Sequence, residues 1–146
     1  MDATPLFATS PHAEVEEIWP RDGRIVIKGT VVGTDAAARN LIIRARGTRT
    51  TAPHPTTAGI RNSFEARITL GALAAACSSA DRIWDLYVAL DEPGRAEPLR
   101  LGRHLDDVTG KKKIFIYPAQ TAAGMRIEPY YTVQDNLSIT CRPENA

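Results

Sequence analysis

Two groups of residues have the types and spacing that chemistry needs. In GRHLDDVTG, residues 102–110, His104 stands two and three positions before Asp106 and Asp107. A carboxylate can orient an imidazole for proton transfer or share a divalent metal with it, so this segment is the candidate for acid/base or metal chemistry. A polar His and two Asp in a loop after a strand are more usually solvated turn residues. The second group is aromatic: Trp19, Trp84, Tyr87, Tyr117, Tyr130 and Tyr131. Sugar rings stack on exposed aromatic faces while polar neighbours satisfy their hydroxyls, so Tyr87 with Asp85, and Tyr130 with Arg126 and Glu128, are the candidate ligand-binding residues of a shallow saccharide platform. Aromatic side chains also fill sandwich cores, the competing role for the same residues.

Other signals are weaker. His12 and His54 lie in Pro-containing loops, Ser78 and Ser79 read as a turn, and the basic run at residues 110–113 reads as a solvated turn able to touch an anionic polymer. GxSxG, P-loop, GxGxxG and HExxH patterns do not occur, so nucleophilic hydrolysis, phosphate cradling and zincin chemistry have no support. No catalytic set, metal or cofactor is assigned.

The elements that position these residues follow from composition and periodicity. A chain of 146 residues can close one substantial core without metal or disulfide. Its formal net charge of +1 gives no field that would draw it to nucleic acid. The first residues do not pair a basic patch with an apolar run, and no apolar stretch reaches the about 18 residues a membrane helix needs, so a cytoplasmic protein with no membrane span is expected. Cys77 and Cys141 show no CxxC spacing and read as ordinary thiols in a reducing compartment, Cys141 as a small core residue.

Alternating apolar runs recur along the chain. Residues 13–19 carry Val15, Ile18 and Trp19 and stop at Pro20; residues 24–32 bury Ile25, Ile27, Gly29 and Val31; residues 39–47 bury Leu41 and Ile43 and turn Arg44 and Arg46 to water. Phe64, Ala66, Ile68 and Leu70 alternate with polar residues in 62–70, after a Thr- and Pro-rich loop. Alanine-rich 71–81 predicts a short helix, too short to persist in water unless packed. In RIWDLYVAL, residues 82–90, Trp84, Leu86, Val88 and Leu90 form the buried face, and Asp85 and Tyr87 the opposite one. Residues 99–103 form its hairpin partner; 113–118, 125–133 and 136–140 complete the set, with Pro129 marking an edge or bulge. The pattern predicts an all-β, antiparallel immunoglobulin-like β-sandwich of about eight or nine strands with one short helical crossover. Residues 1–12 form a flexible N-terminal segment and 13–142 a single domain. The expected core is Ile25, Ile27, Leu41, Ile43, Phe64, Ile68, Trp84, Leu86, Val88, Leu137 and Ile139.

Three motifs carry a family resemblance. Trp84, Asp85, Leu86, Tyr87 and Val88 precede Arg100, Leu101 and Gly102; Pro129, Tyr130, Tyr131 and Thr132 then lead to Asn136, Leu137, Ser138 and Ile139. This series resembles the β-sandwich module attached to actinobacterial family 2 glycosyltransferases and to glycerophosphotransferases of the teichoic-acid type. The match covers most of the second half of the chain, and the first half agrees in strand pattern. The resemblance implies an accessory domain that helps an enzyme associate or bind its polymer, while nucleotide-sugar chemistry belongs to a separate catalytic domain. A DxD motif and a long α/β region do not occur here.

The combined reading is a non-catalytic interaction module. Its partners would be a saccharide or polyol-phosphate polymer, a partner transferase, or a second copy of itself. The alternatives are a small stand-alone transferase or hydrolase using His104, Asp106 and Asp107, and a structural oligomerisation domain that pairs through an edge strand such as 136–140.

Overall fold

The structure, a computed structural model, describes residues 11–34, 36–48, 51, 56–58, 62–77, 80–91, 97–105 and 117–144. The alternation read in the sequence becomes strands β1 (His12–Arg21), β2 (Arg24–Val32) and β3 (Ala38–Ala45), then β4 (Thr56–Ala58) and β5 (Ser63–Thr69). The alanine-rich segment makes helix α1 (Leu70–Cys77), and β6 (Arg82–Leu90), β7 (Leu99–Gly102), β8 (Gln120–Ala122), β9 (Met125–Tyr131) and β10 (Leu137–Pro143) follow. The fold is all-β and sandwich-like, with ten strands among the described residues where about eight or nine were expected in the chain. The two additions are β4, inside the segment read as a loop, and β8; at three residues each, they are too short to show a period.

Strands β4, β5, β2 and β1 form one antiparallel layer, and β3, β6, β10, β9 and β8 the other. Strand β7 stitches them. Its first residues pair antiparallel with β6 (Val88 with Leu99, Tyr87 with Arg100), and its last pair parallel with β1 (Ala13 with Leu101, Glu14 with Gly102). The expected hairpin partnership is therefore present, but the purely antiparallel sandwich is corrected to a mixed one. A parallel contact between distant segments leaves no local trace in sequence. Helix α1 crosses from β5 in the first layer to β6 in the second, as anticipated. Strand β10 lies between β6 and β9, so residues 136–140 are not an edge and cannot pair with another chain. Pro129 sits on β9 beyond the reach of β8, where its missing N–H breaks no ladder bond.

Turn chemistry sets the registers. Asp22 and Gly23 both have positive φ (58° and 74°), as do Ala123 and Gly124 (50° and 78°). Two successive positive-φ residues are what a two-residue type I′ hairpin requires, and they join β1 to β2 and β8 to β9.

All the residues expected in the core are buried, in one cluster that draws on both layers. Gly29, buried on the same face of β2 as Ile25 and Ile27, pairs with Phe64 of β5. A Cβ at position 29 would collide with the Glu14 carbonyl oxygen and stand 2.7 Å from Phe64 Cζ. Gly29→Ala is expected to destabilise the domain by about 1–3 kcal/mol through this overpacking. A denaturant midpoint equal to that of the wild type would contradict it.

Three expectations change with the structure. Trp19 was placed in the apolar series of the first strand but is 46 % exposed. A β-bulge between Val15 and Glu17 inserts one extra residue, so Ile18 takes the inward position and Trp19 turns out. Cys77 and Cys141, expected as thiols, form a disulfide that ties the end of α1 to β10. Sequence spacing could not show this, because the two are 64 residues apart and meet only when the layers close. His12 opens β1 and is buried, although it was assigned to the flexible segment; residues 1–10 lie outside the described residues. His54, Ser78, Ser79, Asp106, Asp107, residues 110–113 and all of the expected strand 113–118 except Tyr117 and Pro118 also lie outside them.

Candidate functional site

The outer face of the second layer collects the polar residues of four strands. Register aligns Tyr130 of β9 with Ser138 of β10, Ser138 with Asp85 of β6, and Asp85 with Arg44 of β3. Tyr87 lies two residues beyond Asp85 on the same face of β6, opposite Arg100 of β7. Asp85, Tyr87 and Tyr130, singled out in the sequence, therefore share one face.

Asp85 organises this face. Arg46 donates to it twice, from Nε to Oδ2 (3.2 Å) and from Nη2 to Oδ1 (2.9 Å). Arg100 Nη2 (3.0 Å) and Ser138 Oγ (2.7 Å) also donate to Oδ1. The buried Ser138 hydroxyl in turn accepts from Arg46 (3.2 Å) and Arg100 (2.9 Å). Arg100 Nη1 donates to the carbonyls of Leu86 (3.1 Å), Leu101 (3.3 Å) and Leu137. Leu86 lies where β6 changes partner from β10 to β7, so the guanidinium fills a gap between two ladders.

Burial pushes the Asp85 carboxyl up, but the hydrogen bonds from Arg46 and Ser138 and the charges of Arg100 and Arg46 outweigh it, holding the group below the usual carboxylate range. The hydrogen bonds that Arg46 donates to Asp85 raise its guanidinium above the ordinary value, against a smaller effect of burial. Burial lowers Arg100 despite the same carboxylate, yet a guanidinium stays charged at any pH where the domain folds. Asp85 is thus an ionised acceptor already surrounded by donors, unsuited to taking a proton at neutral pH. Its work is to aim two guanidiniums.

Those guanidiniums exceed the one carboxylate. Arg44 and Arg100 flank the Tyr87 ring, with Cζ 5.0 and 5.4 Å from its centroid, and Arg46 is half exposed. Beside them lies an open hollow of about 540 Å³ lined by Arg46, Asp85, Arg100, Tyr130, Thr132 and Asn136, among others. A planar cation fork beside hydroxyl-bearing rings suits a phosphate flanked by a polyol or sugar.

Arg126 and Glu128 occupy the same side of β9 as Tyr130, but they do not line this hollow. Their partners on β10 are Arg142 and Thr140, so Arg126 stands four residues, about 13 Å, along the strand from Tyr130. Arg44, Arg46, Arg100 and Ser138 were not singled out as binding residues. The outward alternation of the arginines was visible, but their convergence on Asp85 depends on registers between strands distant in sequence. Tyr131, adjacent to Tyr130, is buried beside Tyr117, and burial pushes its hydroxyl far up.

Asp106 and Asp107 lie outside the described residues, and among those described His104 meets groups of β1 and of the turn before β10. Its backbone N–H and that of Leu105 donate to the buried carboxylate of Glu14 (2.9 and 3.2 Å). Its ring meets Asn136 Oδ1 at 3.0 Å and packs edge-on against His12, whose Nε2 lies 2.7 Å from Glu14. These contacts fasten the exit of β7 to β1. Among the described residues, no group of three or more His, Cys, Asp or Glu could hold a metal ion.

A family model described as TarS beta-glycosyltransferase C-terminal domain 1 matches residues 11–141. The chain belongs to the TarS C-terminal domain 1 family. The match takes in the first half, where short motifs had carried no resemblance. Two crystal structures share the fold: S. aureus TarS 217-571, with a TM-score of 0.68 at 16 % identity over 92 % of this chain, and S. aureus TarS, with 0.66 at 16 % over 91 %. This chain spans 39 % and 25 % of those two chains. No curated protein matches the sequence. Membership relates the domain to the first C-terminal domain of the TarS beta-glycosyltransferase. Among the described residues, no helix is long and apolar enough to cross a membrane.

Proposed function

We propose that the domain is a non-catalytic accessory module that holds a polyol-phosphate or glycosylated polymer on the outer face of its second layer. One observation carries the reading: a single hydrogen-bonded carboxylate, Asp85, aims the guanidiniums of Arg46 and Arg100 beside a hollow lined by Tyr130, and a third guanidinium, Arg44, lies with Arg100 over Tyr87. The excess positive charge would pair with phosphodiesters, and Tyr130, which lines the hollow, would supply an apolar face for the sugar or polyol while Tyr87 holds Arg44 and Arg100 in place. Family membership supports the accessory role and the kind of enzyme it would serve.

The test is a titration of the domain with purified polyol-phosphate polymer at two salt concentrations. Binding is expected to weaken with salt, because exposed charge pairs are screened beyond about 10 Å at 0.1 M ionic strength. The Tyr87→Ala, Tyr130→Ala pair should weaken it about tenfold or more, and Arg46→Ala should also reduce its salt dependence. A Tyr pair that binds as tightly as the wild type would overturn the aromatic part, and no binding at low salt would overturn the whole. A cytoplasmic location would place Cys77 and Cys141 in reducing surroundings, so their redox state in freshly lysed cells reports the compartment.

A further inference from the structure

The first layer carries a second surface of a different kind. The bulge in β1 costs that strand one regular ladder position, and its effect is to move Trp19 from the core side to solvent. Register then sets Trp19 beside Val26 of β2, and Val26 beside Arg67 of β5; the neighbouring row is Glu17, Lys28 and Glu65. The result is an apolar floor and wall, Val26 and Trp19, with alternating charges around them, enclosing an open hollow of about 430 Å³.

The indole is oriented. Its Nε1 donates to Glu17 Oε1 at 2.9 Å, which fixes the ring plane relative to the sheet. The charges around it are largely neutralised: Arg67 binds Glu65 at 2.9 Å, and Lys28 stands 3.9 Å from the same carboxylate. Arg21 lies over the ring with Cζ 5.3 Å from the centroid, but its side chain is 72 % exposed, and an exposed cation–π contact of this kind is weak enough for a ligand to displace. A phosphate would gain little from charges already paired. A pyranose ring would gain more, since its C–H face stacks on the indole while its hydroxyls take donors and acceptors from Arg67, Lys28 and Glu17.

We infer that Trp19, Val26 and the surrounding Glu17, Lys28 and Arg67 form a binding subsite for the pyranose ring of a neutral saccharide, separate from the arginine-rich face of the second layer. A chain with two such faces would bind two segments at once, and the neutral one would be little affected by salt.

The chain contains two tryptophans, and Trp84 is 0 % exposed. Emission changes on adding ligand therefore report Trp19. The domain is titrated with maltohexaose, cellohexaose and chitohexaose, at low and high salt, with fluorescence and calorimetry as readouts. The expected result is quenching or a blue shift with at least one of them, unchanged by salt, and an at least about tenfold weaker calorimetric affinity in Trp19→Ala with an unaltered melting temperature. The Tyr87→Ala, Tyr130→Ala variant should keep the full response, which separates this subsite from the other face. No response to any of the three sugars, or equal affinity in Trp19→Ala, overturns the inference.

Discussion

Replacing Cys77 and Cys141 together with alanine lowers the melting temperature of the oxidised domain by on the order of 10–15 °C. The pair closes a loop of 64 residues, and the chain-entropy model assigns such a cross-link about 4 kcal/mol. At the size of this domain each kcal/mol moves the midpoint by about 3 °C. The local reason for the cross-link lies in α1. Eight residues are too few to hold a helix in water, and no acidic residue in the first turn or basic residue in the last supports the helix dipole. The disulfide fastens its last residue to β10, and the buried Trp84 indole donates to Cys77 Sγ at 3.3 Å. Both cysteines are buried, so reductant is expected to act slowly on the folded protein and to bring the wild type to the melting temperature of the double variant once it has unfolded. Equal melting temperatures for the oxidised wild type and the double variant would show that the cross-link contributes nothing.

Asp85→Ala is expected to cost about 2–4 kcal/mol, because it leaves the partly buried guanidinium of Arg100 without its counter-charge. Isolated surface pairs are worth far less, but the Asp85 side chain is only 14 % exposed and receives four hydrogen bonds from three residues. The same group sets a pH dependence. Its carboxyl lies below the ordinary range in the folded state, so its stabilisation is complete above the unfolded value of about 4 and is lost as the pH falls through the lower folded value. The denaturant midpoint of the wild type should therefore fall on acidification below about pH 4. Asp85→Asn should be less stable at neutral pH and lose less on acidification, so the two curves converge. Parallel acid limbs for the two proteins would show that another carboxylate governs this range.

Much of the architecture was legible because it repeats locally. The two-residue period of Phe64, Ala66 and Ile68, or of Trp84, Leu86 and Val88, states which face is buried, and a buried face can be read without knowing its partner. The Asp22–Gly23 turn is local in the same way, since its geometry depends on the two residues that form it. Asp85 and Tyr87 were placed correctly opposite the core by the same period.

What the tertiary structure alone decided involves distant segments or a single irregular residue. The extra residue in β1 reverses the sides of Ile18 and Trp19, and nothing in the side chains of Glu16 or Glu17 announces a bulge. The parallel contact of β7 with β1 joins segments nearly ninety residues apart, and so does the grip of Glu14 on the His104 amide. Arg46, Asp85, Arg100 and Ser138 come from four places in the chain and become one hydrogen-bonded group only through the registers of β3, β6, β7 and β10. The sequence by itself determined which side chains face inward along most strands, because that depends on neighbours two residues away. The structure decided the cysteine pairing and which outward-facing residues meet, because those depend on how strands far apart in the chain align.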